Sequence, residues 1–219
     1  WKPGVTYVNP RRTRLPVNLD SPELGLSHTM GFTRFLVGDF KSNITTLRLY
    51  KRQWLGSWGF MNFNVRASAQ WSKVPFPLLL QPPVNITYVE TDNTVSLVKD
   101  WEFLNDRQVF WGWKWDLNGK LLNRIPLIRR LKWREFVNVK GFWGDLTDKN
   151  NPAKRPGDAM LYQFPTNSHA MGSKPYWEVE AGIHNIFKLI SVGYVRRLSY
   201  LDHPGVSKWG IRFDFYLSF

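Results

Sequence analysis

Residues 210–219 read GIRFDFYLSF, and apolar side chains occupy every second position. Ile211, Phe213, Phe215, Leu217 and Phe219 share one face of an extended chain, while Arg212, Asp214, Tyr216 and Ser218 share the other. The same alternation recurs upstream. Met61, Phe63, Val65, Ala67, Ala69 and Trp71 interleave with Asn62, Asn64, Arg66, Ser68 and Gln70. Val109, Trp111, Trp113, Trp115 and Leu117 interleave with Gln108, Phe110, Gly112, Lys114 and Asp116, and Trp177, Val179, Ala181 and Ile183 with Tyr176, Glu178, Glu180 and Gly182. A repeated period of two makes one side of a large sheet apolar and the other polar.

Each run approaches the roughly 9–11 residues with which a tilted strand crosses a bilayer. Strands of a soluble sandwich are usually shorter. The fold expected is therefore all-β, an antiparallel transmembrane β-barrel. About nine strands are visible, near 23–33, 43–54, 59–71, 93–104, 107–117, 132–144, 175–184, 188–201 and 208–219. Gly38-Asp39, Gly56-Ser57 and Asn105-Asp106 carry the chemistry of tight turns. The last strand, with its terminal aromatic, has the form of the closing strand by which assembly machinery recognises barrel substrates. Bacterial barrels usually have an even strand number, and closure satisfies the backbone in lipid. Nine strands thus point to strands overlooked in the first 22 residues or to a barrel that begins before Trp1. We expect one barrel domain, 1–219, as the C-terminal fragment of a longer chain.

Composition agrees with a wet interior. Aromatics reach 16% and include 12 Trp, yet mean hydropathy is only -0.36, so large apolar groups are spread among polar ones. The longest uncharged stretch, 74–89, contains Pro75, Pro77, Pro82 and Pro83, which exclude a spanning helix. The absence of Cys removes disulfides, thiolate catalysis and thiolate metal sites. The chain starts WKPG with no signal peptide, although a barrel must be exported, so Trp1 reads as a processed end or the start of a fragment. The net charge of +13 comes from dispersed cations with no helix or aromatic-basic platform of a nucleic-acid reader, so nucleic acid is not an expected partner.

With Phe219 on the periplasmic side, alternation puts 145–174 and 202–207 outside and 72–92, 118–131 and 185–187 in the periplasm. The outer connection is polar and rich in Pro, Gly and Asn. The inner connections 72–92 and 118–131 are long and amphipathic, unlike the short inner turns of porins.

WSKVPFPLLLQPP, VKDWEFLNDRQVFWGWKWDLNGKLLNRIPLIRRLKWREFV, LTDKNNP and YWEVEAGIHNIFKLISVGYVRRLSYLDHPGVSKWGIRFDFYLSF together resemble the C-terminal part of a large Bacteroidetes outer-membrane family. Its members carry a domain of unknown function that follows a carboxypeptidase-regulatory-like domain. The resemblance covers most of residues 23–219. It implies a longer protein with a periplasmic β-sandwich and further strands before Trp1, and the carboxypeptidase label refers to that sandwich's fold and does not imply peptidase activity. A remote analogy to Omp85-like barrels, which insert other proteins, rests on fold alone. The resemblance carries over no catalytic residue.

The candidate residues fall into groups. Phe76, Leu78, Leu79 and Leu80, with Ile125, Leu127, Arg129 and Arg130, are candidate partner contacts, set against the plainer reading that both segments pack under their own barrel. Arg66, Lys114, Glu178, Glu180, Arg212 and Asp214 are candidate lumen residues, which either pair to fill the interior or set the selectivity of a pore. Trp54, Trp58, Trp71, Trp143, Trp177 and Trp209 fit an aromatic girdle, with a carbohydrate platform as the alternative. His28, His169, His184 and His203 show no ligand spacing, and Asp145, Asp148 and Asp158 at most a weak Ca²⁺ site, so neither metal nor cofactor is expected.

The function expected is non-enzymatic: a subunit or accessory factor of a complex for assembly, export or surface display in the bacterial outer membrane. Its partners would be outer-membrane lipid and lipopolysaccharide, other envelope proteins, and the barrel assembly machinery during insertion. A transport barrel is the alternative, and an outer-membrane enzyme a remote third.

Overall fold

The computed structural model describes residues 1–9, 13–18, 20–34, 39–87 and 93–215. Two short strands, β1 (Tyr7–Val8) and β2 (Leu15–Pro16), form a small ribbon. Apart from a one-turn helix at Pro126–Arg129 and three 3-10 turns, the other regular structure among the described residues is one antiparallel sheet of eight strands. These are β3 (Glu23–Gly31), β4 (Ser42–Trp54), β5 (Phe60–Gln70), β6 (Arg107–Asp116), β7 (Arg134–Asp145), β8 (Tyr176–Ile186), β9 (Ile190–Arg197) and β10 (Trp209–Phe215). Each pairs with its neighbours in sequence, so the sheet is an uninterrupted meander from β3 to β10. Among the described residues β3 and β10 do not pair with each other, and the sheet is open. Leu217 and Phe219, expected to finish the last strand, lie outside the described residues, as does Gly38.

Eight of the nine expected strands form where the alternation places them. The exception is 93–104, which is irregular apart from isolated bridges. Its Val95, Leu97 and Phe103 alternate as in a strand, but left-handed backbone at Asn93 (φ 69°) and Trp101 (φ 63°) breaks the extension at both ends. Removing one crossing from the count moves a loop. The connection 71–106 joins β5 to β6 at the sheet end that also carries 146–175 and 198–208, whereas 117–133, 55–59 and 187–189 lie at the opposite end. The expectation that 72–92 and 118–131 share one end is therefore corrected. Asn105 and Asp106 lead into β6 rather than forming a hairpin turn. Among the described residues of the first 22, the strands are those of the ribbon, β1 and β2.

The register fixes two faces of opposite character. Arg66 stands opposite Phe110, Phe110 opposite Phe142, and Phe142 opposite Tyr176; Lys114 pairs with Asn138, Asn138 with Glu180, and Glu178 with Arg197. The other face carries Leu26, Leu47, Ala67, Val109, Trp113, Val139, Trp177, Tyr194, Ile211 and Phe213. Large side chains on that apolar face are solvent-accessible, with Leu26 at 75% and Phe215 at 69%. Charged groups on the polar face are buried, with Glu178 and Arg197 each at 1%. This inverts the usual arrangement, in which apolar groups are inside and ionised ones almost never fully buried unless paired.

Curvature explains the burial. Arg52 of β4 and Asp214 of β10 line a single cavity, although six places separate these strands in the sheet. A flat sheet would hold them roughly 29 Å apart at about 4.8 Å per strand. The sheet is rolled with its polar face concave. The main apolar cluster sits inside the roll: Phe110, Phe142 and Tyr176 from the sheet meet Val95, Val98 and Phe103 of the connection 71–106 and Met171 of 146–175.

Candidate functional site

The concave face is occupied by the chain itself. Segment 93–104 enters it, tied to 83–85 at Val95 and to His169 at Leu104, and at Ser96 and Leu97 a sheet carboxylate takes the place of a partner strand. Glu178 accepts hydrogen bonds from the N–H groups of Ser96 (2.9 and 3.0 Å) and Leu97 (3.2 Å) and from the Tyr176 hydroxyl (3.0 Å). From β10, two strands away, Arg212 donates to the Ser96 carbonyl. A buried carboxylate is tolerated when its lone pairs are this fully engaged.

The following residues are locked by Arg197 at the end of β9. Its guanidinium grips the Glu102 carboxylate bidentately (2.6 and 3.1 Å), and donates to the carbonyls of Leu97 (3.2 Å), Ser199 (2.9 Å) and Tyr200 (2.8 Å). The planar fork suits this geometry, and its five donors match five acceptors. Tyr176 lies beneath the guanidinium, 5.0 Å from ring centroid to Cζ. Glu102 also pairs with His203 Nδ1 at 2.9 Å and accepts the Lys99 N–H at 3.2 Å. Burial raises the carboxyl's proton affinity, but Arg197, His203 and Lys99 together outweigh it and leave the pKa below the ordinary value. The His203 ring lies tilted against that of His169, 4.2 Å between centroids, and the His169 backbone N–H donates to the Glu102 carbonyl (2.8 Å). Connections 71–106, 146–175 and 198–208 thus meet at one cluster.

A second clamp lies beside it. Asn150 donates to Asp106 Oδ2 (2.9 Å) and accepts the Val74 N–H (2.9 Å), while Thr147 donates to both Asp106 oxygens. The LTDKNNP stretch therefore staples the long connection to both ends of the inserted one. Below it Val74, Leu79, Leu104 and Leu146 pack together, flanked by Phe76, Trp101 and Phe164.

Toward the opposite end the concave face holds two small cavities, of about 80 Å³ and about 120 Å³. Arg52, Lys114, Asp116, His184 and Asp214 are among those lining the first. His184 and Asp116 are 2.9 Å apart there, and Lys140 and Glu180 approach to 3.9 Å nearby.

All six residues expected to line a lumen, Arg66, Lys114, Glu178, Glu180, Arg212 and Asp214, project from the concave face. The proposed partner contacts divide. Phe76 and Leu79 are consumed in packing and Leu80 is half-buried beside its bridge to Asn105; of that group only Leu78 is exposed. The docking patch expected at 76–80 is thus corrected to an internal support of the inserted segment. Ile125, Leu127, Arg129 and Arg130 are exposed at the opposite end. Trp71, Trp143, Trp177 and Trp209 stand at one rim, Trp54 and Trp58 at the other. Among the described residues no group of three or more His, Asp or Glu is placed to hold a metal, and Asp158 pairs with Lys73 at 2.8 Å. Glu102, Asp106, Asn150 and Arg197 join the site although none is among the site residues expected from the sequence. Glu102 and Asp106 carried a signal, acidic residues within the aromatic stretch DWEFLND, whereas Asn150 and Arg197 carried none.

The molecule is thus a rolled antiparallel meander with its polar face inward and filled by its own connection. Residues 1–150 match the family described as "Family of unknown function (DUF5686) C-terminal domain", and the chain belongs to that family. The match spans β1 to β7 and the inserted connection. No curated protein and no solved structure matches the chain.

Proposed function

We propose that this chain forms the wall of an outer-membrane β-barrel whose interior is blocked by residues 93–104. We assign it the role of a non-enzymatic subunit or accessory factor in an outer-membrane complex for assembly, export or surface display. The observation that carries this reading is the inverted polarity. The rolled sheet exposes Leu26, Ile211, Phe213 and Phe215 while burying Glu178, Glu180, Lys140 and Arg197. In water so wide an exposed apolar face is an aggregation liability; in lipid it is the required surface. Lipid also demands that the free edges β3 and β10 be paired, by further strands or by each other. A Bacteroidetes source is part of this proposal and is supported by the resemblance alone.

The filling of the concave face favours an accessory role over a solute pore. A transport barrel needs a continuous polar path, whereas here Glu178 and Arg197 bind the inserted segment. Outer-membrane fractionation with a heat-modifiable gel shift tests the barrel, and soluble behaviour would overturn it. Isolation from native membrane tests the role: stable co-purification of other envelope proteins is expected, and a lone monomer would refute it. Steady conductance in planar bilayers, altered by Glu178→Gln, would establish the transport alternative instead.

A further inference from the structure

The sheet end opposite the inserted connection is basic. Connection 117–133 carries Lys120, Arg124, Arg129, Arg130 and Lys132 and no Asp or Glu, and Lys188 adds a sixth cation at the β8–β9 turn. All six are at least partly exposed, and among the described residues none is in an ion pair. Of the two carboxylates that flank the connection, Glu135 is committed to the backbone N–H groups of Leu121 (2.7 Å) and Leu122 (3.4 Å), and Asp116 to the Asn118 N–H (2.8 Å) and His184 (2.9 Å).

Apolar side chains are interspersed with these cations and point outward. Leu127 is 77% exposed and Phe187 84%, and Ile125 and Leu131 are about half exposed. The β8–β9 turn holds Phe187 (φ 50°) and Lys188 (φ 65°) in the left-handed region, where glycine or asparagine would be strain-free. An aromatic and a cation are displayed at the tip at a conformational cost. The surface also continues the exposed apolar face of the sheet. Trp115, at the end of β6 on that face, donates its indole N–H to the Trp58 carbonyl (2.9 Å), and Lys120 Nζ lies 5.3 Å from the Trp58 ring. Cations beside interfacial tryptophans, with aliphatic neighbours dipping inward, are the pattern of a protein edge seated at lipid phosphates.

We propose that connections 117–133 and 187–189 form a collar that binds anionic phospholipid headgroups of the leaflet at this end of the sheet. The proposal rests on the membrane reading above and adds the ligand class. An uncompensated set of cations calls for anionic partners, and continuity with the lipid-facing sheet places a leaflet's phosphates closer than any protein's carboxylates. Each cation near an anionic surface contributes about fivefold to binding at moderate ionic strength, and salt screens the effect.

The test uses the full chain purified in neutral detergent, with phosphatidylglycerol or phosphatidylcholine added. The midpoint temperature of its heat-modifiable gel transition is read for wild type and for the combined Arg124→Gln, Arg129→Gln, Arg130→Gln, Lys132→Gln variant. Phosphatidylglycerol should raise the wild-type midpoint by several degrees more than phosphatidylcholine, and high salt should abolish the difference. The variant should keep its midpoint in phosphatidylcholine and lose the extra rise. A heat-modifiable wild type indifferent to phosphatidylglycerol, or a variant that responds equally, overturns the collar alone. Absence of a heat-modifiable form in either lipid overturns the membrane reading and the collar with it. Loss of a co-purifying acidic protein in the variant, without any lipid response, would reassign the surface to that protein.

Discussion

Arg197 illustrates how a buried charge is made tolerable. Its fork is matched by one carboxylate and three carbonyls, so no donor is stranded. The pair is worth little relative to a hydrophobic substitute, but removing one member leaves the other buried and uncompensated. Glu102→Ala should therefore destabilise the fold by about 3–5 kcal/mol, measured as a lowered midpoint of the heat-modifiable transition. Adding Arg197→Met should cost less than the two single changes summed. Strict additivity would mean that the pair does not couple. No local pattern announced this residue: Arg196 and Arg197 are adjacent, yet only register sends Arg197 to the concave face and Arg196 to the apolar one.

Among the elements, β7 depends on a close approach at Gly141. A Cβ there would meet the Tyr176 carbonyl oxygen at 2.6 Å and Trp111 Nε1 at 2.7 Å. With nothing at this position, the rings of Trp111 and Trp177 come to 5.0 Å of each other across the strand. Gly141→Val, despite its better strand propensity, should destabilise by about 1–3 kcal/mol through overpacking against backbone. Gly172→Ala, with open space around it, should leave the same transition unchanged. Equal behaviour of the two variants would refute the packing argument. Segment 93–104 teaches the opposite lesson about elements. Its alternation is as good as that of a strand, but Val95 and Leu104 make only isolated backbone bonds, and the Ser96 and Leu97 amides found the Glu178 carboxylate instead of a strand of the sheet. Alternation reports which residues face which side and is silent on what supplies the hydrogen bonds.

At the scale of the molecule, the three connections at one end stand or fall with their shared cluster, and protons are its natural disruptor. Burial, then the nearby His203, holds His169 below the ordinary imidazole value, with Glu102 and Asp202 opposing. A depressed pKa supports the fold above the unfolded value of roughly 6.5 and loses that support as pH falls toward the folded value. Glu102, also depressed, contributes above roughly 4.3 and loses its contribution below. Acidification should therefore loosen this end in two stages, His169 first. Hydrogen exchange of amides in 93–104 and 146–175, followed against pH, measures it. His169→Phe, which keeps a ring beside His203, should remove the first stage, and a flat wild-type profile between roughly pH 7 and 5 would refute it.

The sequence by itself determined the strands, their two faces and the residues on each, because side-chain alternation is a property of the extended backbone and needs no partner to be read. It also carried the basic character of 117–133, since charge is compositional. Only the tertiary structure decided that 93–104 fills the roll instead of joining the wall, and hence which connections share an end. That choice depends on contacts some 80 to 100 residues apart, Ser96 with Glu178 and Glu102 with Arg197. Such contacts leave no periodic trace in the chain, and they exist only once the sheet has curled to bring the two together.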